Sequence, residues 1–327
     1  MNRFLRSLTP DQQMGLLFVA VFGVLLLASG VVFLLSLRER HQHSDAWWEG
    51  LHSARAGVRR SWLMVGVFWL AWASGPLASV WLFGFVSLLT LREFISLTPT
   101  HRSDHKALVL LFFCVLPLQY AWLIQRHFNL FSVFIPVYVF LALPVISSLG
   151  NDPHRFLERN AKLQWGTMVC VYGLSHVPAL LWLSFPGHEG RSAFLVFFLV
   201  AVVQICMVLQ HVTSRWLPCP PTLPAISGGF NWRSWLAGVL GGALAGALLA
   251  GITPFNPGRA FAMAGVACGA ATLGHLVMKA IKRDRGVPHW GLQGRGVTGA
   301  SGLLDRVDAL AFAAPVFFQS VRWTFGV

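Results

Sequence analysis

"SWLMVGVFWLAWASGPLASVWLFGFVSLLTL", residues 61–91, is apolar along almost its whole length, and how it divides decides the fold. As one helix at 1.5 Å per residue it would run about 46 Å, well beyond a bilayer core of about 30 Å. Gly75-Pro76 removes a backbone donor and disfavours helix continuation. The stretch therefore reads as two short helices in a hairpin, over 61–74 and 77–91.

Similar apolar runs recur at 14–37, 108–124, 129–149, 165–185, 193–212, 234–252, 260–278 and 309–321, which with the hairpin makes about ten spans, several of them short. The composition agrees: 55% of the 327 residues are hydrophobic and only 11% are charged. Backbone groups in lipid need internal partners, and these continuous runs lack the polar alternation of barrel strands. The expected fold is all-α, a polytopic membrane helical bundle. The run 14–37 is too long for a signal-peptide core and reads as a first span. A division into an N-terminal segment, 1–60, and a membrane domain, 61–327, follows.

Charge tests the hairpin independently. With residues 61–91 split, the loops at 38–60, 92–107, 150–163, 213–233 and 279–308 fall on one side and hold 19 of the 25 Lys and Arg. By the positive-inside rule these loops are cytoplasmic and both termini lie outside. The formal net charge of +13 then faces anionic headgroups or an anionic substrate, and nucleic acid is not expected as a partner. Five cysteines, 114, 170, 206, 219 and 268, show no metal-type spacing and read as free thiols. "GVLGGALAGALLAG" at 238–251 places small residues at helical spacing, suited to close helix packing and permissive of a homodimer. His176, inside an apolar run, is either a functional group or a neutral imidazole bonded to a nearby carbonyl.

The chemistry concentrates at 279–308, "KAIKRDRGVPHWGLQGRGVTGASGLLDRVD". Glycines let backbone N–H groups approach phosphate oxygens, while Lys282, Arg283 and Arg306 supply positive charge. Asp305 and Asp308, at i and i+3, share a helix face and could ligate a divalent cation. The plainer alternative is that acids in a first helical turn complement the helix dipole and pair with Arg306.

"KRDRGVPHWG" followed by "GLLDRVDALAFAAPVFF" resembles the C-terminal signature of the membrane phosphatidate cytidylyltransferases, through Lys282-Arg283, Asp305, Arg306, Asp308 and Pro315. "LREFISLTPTHRSDHKAL" at 91–108 and "RFLERNAKLQWGTMVCVYGLSHVPALL" at 155–181 resemble a bacterial paralogous branch of that family. Similarity extends over roughly residues 60–325. The resemblance implies CTP and phosphatidate as substrates, Mg²⁺ as metal, CDP-diacylglycerol as product and the bacterial inner membrane as location. It also implies metal binding by Asp305 and Asp308, and phosphate binding by Lys282, Arg283, Arg306 and Arg233.

The departures fall on the nucleotide and metal motifs. Pro288-His289 stands where the family has Lys-Asp, and "GRGVTGASG" replaces its His-Gly-Gly. Cys206-Met207 stands where a Ser-Asp pair is expected. "AISGGFNWRSW" takes the place of a Ser-Pro-x-Lys-Thr phosphate loop, with Arg233-Ser234 nearest its Lys-Thr. Asp284 or His289 could complete a metal site. Two readings follow: a diverged cytidylyltransferase, or a catalytically silent lipid-binding or scaffold protein on the same fold. A transporter is the weaker third, since no inverted repeat is apparent.

Overall fold

The computed structural model describes residues 10–37, scattered positions between 51 and 70, and then 72–98, 101–185, 192–216, 219–287, 290 and 302–326. Two compact units emerge, Met1–Gly75 and Pro76–Val327. In the first, α1 spans Pro10–Ser36. Trp62 donates its indole N–H to Ser29 Oγ at 2.9 Å, and Trp72 meets Phe18 with ring centroids 5.4 Å apart. Residue numbers rise on one side as they fall on the other, so the described positions between 62 and 72 run antiparallel to α1.

The break predicted at Gly75-Pro76 is present. Ser74 is a turn, Gly75 adopts a left-handed φ of 84°, and α2 begins there as Gly75–Leu97. Next come α3 (Arg102–Ile124), α4 (Phe128–Ser148), α5 (156–182), α6 (Ser192–Trp216), α7 (Trp232–Ile252), α8 (Pro257–Asp284) and α9 (Leu304–Phe325). Wider π-type turns interrupt α3 at Leu111–Val115, α4 at Phe134–Val139 and α5 at Met168–Gly173. Pro117, Pro136 and Pro178 lie in or near them, where a missing backbone N–H frees a carbonyl and disturbs the ladder.

Among the described residues, seven helices are long and apolar enough to cross a membrane: α1 to α4 and α6 to α8. Of the remaining expected runs, 165–185 and 309–321 are helical within α5 and α9. Their first two turns carry Glu158, Arg159 and Lys162, and Asp305, Arg306 and Asp308, which shorten the apolar part. The run 61–74 lies partly outside the described residues. Leu248, Phe113 and Trp323 are largely exposed, as side chains facing acyl chains would be.

Close backbone approach holds α5 to α9. A Cβ on Gly173 would stand 2.3 Å from the Ala311 carbonyl oxygen, so only glycine fits. On α7, Gly242 meets Cys268 and Gly246 meets Ala264, as expected from its small-residue pattern. The cysteines are free, with 170, 206 and 268 buried. Trp235 donates to Thr272 at 2.8 Å between α7 and α8, and Gln119 on α3 donates to Phe131 O and Ser175 Oγ, each at 3.2 Å.

Polar contacts show which connections meet at each end of this unit. Ser103 bonds Asp152 at 2.9 Å, Arg285 lies 3.9 Å from Glu158, and Leu304 N–H reaches Glu93 at 3.1 Å. The described parts of the basic connections around 98–104, 149–156 and 284–304 thus gather at one end. At the other, Arg322 bonds Asn129 at 3.0 Å and Arg126 stacks 4.8 Å from the Trp182 ring.

Candidate functional site

Helix α8 presents His275, Lys279 and Lys282 at i, i+4 and i+7, which places them on one stripe. That stripe faces the start of α9, where Asp305 and Asp308 share a face. Lys282 Nζ pairs with Asp305 Oδ1, and His275 Nδ1 lies 2.7 Å from Asp308 Oδ2. Antiparallel packing of α8 and α9 accounts for the order, since the later residue of one helix meets the earlier residue of the other. Asp308 is only 2% exposed, and its second oxygen accepts the Ala309 N–H at 2.7 Å.

Asp305 also accepts the Trp290 backbone N–H at 2.9 Å. Trp290 is fully buried and stacks on Phe94 of α2, with ring centroids 5.4 Å apart. The Trp290 N–H and the Lys282 ammonium thereby hold the two carboxylate oxygens from separate chain segments. Gly302, at φ 69°, passes over the same residue: a Cβ there would stand 2.9 Å from the Trp290 carbonyl. A side chain at 302 would close this approach.

Glu93 completes the group from a distance of more than two hundred residues in sequence. It is buried in α2, accepts the N–H of Leu304 at 3.1 Å, and so caps α9 from another helix. A carboxylate is stabilising there because the first N–H groups of a helix are unpaired and its N-terminus is electropositive. The other Glu93 oxygen, Oε1, is buried without a hydrogen-bond partner among the described residues. Asp305 is close enough to oppose the Glu93 charge.

A further contact comes from the connection before α7. Lys279 Nζ reaches Ser227 Oγ at 3.5 Å, in the "AISGG" turn, which Ser227 N–H to Leu223 O at 2.8 Å holds closed. Ser227 and Lys279 therefore stand beside the Lys282 pair, in the part of the chain that departs from the expected phosphate loop.

Of the residues singled out from sequence, Lys282, Asp305 and Asp308 converge, and Arg306 is half-buried beside them in sequence. Arg283 is exposed, and Asp284 turns to Arg285 at 2.8 Å. Arg233, in the first turn of α7, is also exposed and bonds Cys219 Sγ of the preceding connection at 3.6 Å. His289 lies outside the described residues. His176 takes the structural option: Nδ1 bonds Tyr172 O at 2.7 Å, with Phe131 and Phe318 against its ring. Glu93, His275, Lys279, Ser227 and Trp290 were not singled out. Periodicity on α8 could have found His275 and Lys279; nothing local marks Glu93.

Mg²⁺ prefers about six hard oxygen ligands in near-octahedral array. Among the described residues no three His, Cys, Asp or Glu side chains form a metal-ligand group, and Asp305 and Asp308 are engaged by Lys282 and His275. As arranged, these residues do not fit a resident Mg²⁺. They do form a cluster of alternating charge in which a phosphate could replace a carboxylate as partner of Lys282.

Behind this end stands a separate ionic clamp. Arg159, 3% exposed, lies 3.0 Å from Asp104 and 2.7 Å from Asp152, joining the start of α3 to the start of α5. Asp152 is held below the usual carboxylate range by the His154 N–H, then by Ser103 and Arg159. Nearby, the Lys162 ammonium lowers Glu158 in the same way.

Two comparisons bear on this geometry. The protein YnbB of Escherichia coli (strain K12), itself described as uncharacterized, is 32% identical over 267 residues, covering 81% of this chain and 86% of the relative. A family model described as the cytidylyltransferase family matches residues 55–324, which includes every residue of the cluster from Glu93 to Asp308. The chain belongs to the cytidylyltransferase family.

Proposed function

We propose that the chain is a phosphatidate cytidylyltransferase-like protein that joins CTP and phosphatidate into CDP-diacylglycerol and pyrophosphate. The observation that carries this reading is the charged stripe His275, Lys279 and Lys282 on α8 against Asp305 and Asp308 on α9. A phosphate oxygen of phosphatidate attacks the α-phosphorus of CTP. One P–O bond forms there as the bond to the β-phosphate breaks, and the electron pair leaves with pyrophosphate.

The residues of the chain have positioning and electrostatic work in this step. Lys279 and Lys282 would take the phosphates, whose charge spreads over oxygens as the leaving group departs. Ser227 and the glycines after it can approach with hydroxyl and backbone N–H donors. Asp305 holds the Lys282 ammonium in place, and His275 with Asp308 fixes the neighbouring wall. Phosphatidate would reach the cluster along the membrane surface, its acyl chains remaining among the apolar helix faces. Mg²⁺, the cation that the family resemblance calls for, is supplied with CTP in the test.

A second reading, a catalytically silent lipid-binding or scaffold protein, is favoured by one observation. Both central carboxylates already have protein partners, and among the described residues no third ligand stands with them. The two readings separate in an assay of purified protein with CTP, phosphatidate and either Mg²⁺ or Mn²⁺. The first expects CDP-diacylglycerol formation that Asp305→Asn and Lys282→Met abolish; the second expects no product with either metal, while phosphatidate still binds.

A further inference from the structure

The opposite end of the bundle carries a second concentration of positive charge, about 26 Å along α9 from Asp305 if the seventeen residues to Arg322 each add 1.5 Å. A cleft of about 450 Å³ opens there, lined by Trp122, Arg126, His127, Phe128, Asn129, Leu130 and Arg322. Two arginines and a histidine face it, and no Asp or Glu is among the lining residues.

Arg322 is held in a fixed direction. Its guanidinium bonds Asn129 Oδ1 at 3.0 Å and Ser132 Oγ at 3.5 Å, and it lies 5.6 Å from the Phe128 ring centre. Gln319, one turn earlier, bonds the same Ser132 hydroxyl at 2.8 Å. Arg126 lies over the Trp182 ring. Trp122 in the cleft wall and Trp182 beneath Arg126 each carry an indole N–H with no acceptor among the described residues. Buried donors of this kind are ordinarily satisfied.

Backbone geometry distinguishes Arg126 further. Helix α3 ends with Arg126 N–H on Leu123 O and His127 N–H on Trp122 O, the paired bonds of a Schellman termination. The residue after such a helix adopts a left-handed conformation and is ordinarily glycine. Helix α8 ends with the same two bonds and has Gly286 there, at φ 68°. Helix α3 has arginine at φ 59°, a conformation disfavoured for a side chain with a Cβ. A disfavoured backbone that displays a cation over a cleft is the pattern expected where the side chain has a use.

We infer that this cleft is a binding site for a phosphate group, at the end of the bundle opposite the Lys282 and Asp305 pair. Arg126 and Arg322 approach from two chain segments, as planar donors that match phosphate oxygens, and the ring faces beneath them limit hydration. The group could be carried by a lipid headgroup of that leaflet or by a free phosphate ion. The inference does not depend on cytidylyl transfer at the other end.

The test titrates the full chain, in detergent, with dihexanoyl phosphatidylglycerol, dihexanoyl phosphatidylcholine and inorganic phosphate, following heat. Arg126→Gly and Arg126→Gln are compared with the unaltered chain. Glycine relieves the backbone, so Arg126→Gly is expected to melt no lower than the parent while its affinity for phosphatidylglycerol falls at least about tenfold, the loss of one charge-assisted pair. Arg126→Gln should lose affinity similarly. Sensitivity of the phosphatidylglycerol arm alone identifies a headgroup; matching sensitivity of the inorganic phosphate arm identifies the phosphate group itself. Affinities within twofold of the parent in both variants, or absence of binding by phosphatidylglycerol and inorganic phosphate alike, would overturn the inference.

Discussion

At the end where α8 meets α9, charges of both signs interleave: Lys282 lies against Asp305, His275 against Asp308, and Glu93 caps the helix that carries both aspartates. At the opposite end, Arg126 and Arg322 rest on aromatic rings around a cleft whose lining contains no acid. The first arrangement is internally balanced and suits a ligand that exchanges partners with it, as a triphosphate would with Lys282. The second has a net positive field and suits direct capture of an anion. The two ends thus offer an anion two different electrostatic settings, and the contrast yields separable expectations.

The largest effect is expected from the clamp that supports the first end. Arg159→Leu leaves two carboxylates without their cation and should cost about 3–5 kcal/mol, the usual range for breaking a buried ion pair. Thermal unfolding in detergent measures it. A cost near that of an exposed pair, about 0–1 kcal/mol, would mean that the gathered connections are held by other contacts.

Next is Lys282→Met, which uncovers the partly exposed Asp305. A loss of about 1–3 kcal/mol is expected, with Lys282→Met/Asp305→Leu recovering part of the stability but none of the CTP binding. Recovery of both would contradict phosphate binding by Lys282. Glu93→Leu removes the cap on α9 and should cost about 1–2 kcal/mol, whereas Glu93→Gln, whose amide oxygen can still accept the Leu304 N–H, should cost less. Equal costs would point to charge rather than hydrogen bonding as the source of the effect.

The smallest effect concerns acid. Asp152 in the folded chain titrates below an ordinary aspartate, so its contribution to stability is complete above the unfolded value and is lost as pH falls through the folded one. Asp152→Asn should therefore flatten the decline in melting temperature on the acid side of the ordinary aspartate range. An unchanged pH profile would remove Asp152 from the clamp.

Much of the fold was legible in sequence because the bilayer imposes strong patterns. Apolar length marks the spans, Gly75-Pro76 marks the break, and the distribution of Lys and Arg separates the two ends. Asp305 and Asp308 stood out for the same reason, as rare acids at the edge of an apolar run. What the pattern could not supply was pairing. Glu93 and Leu304 are separated by 211 positions, and a carboxylate near the end of a span reads as an ordinary interfacial charge until its partner is known. Arg126 is one of the six Lys and Arg outside the basic loops, and nothing in composition marks its left-handed backbone.

The most direct test of the central claim follows label from [α-³²P]CTP into the lipid phase, using purified protein, phosphatidate and Mg²⁺ or Mn²⁺, with Lys282→Met and Asp305→Asn in parallel. The account predicts labelled CDP-diacylglycerol from the parent chain and at least a hundredfold less from either variant, about 2.7 kcal/mol of lost transition-state stabilisation. Label that remains in CTP with the parent chain under both metals, or product that survives loss of both Lys282 and Asp305, would contradict it.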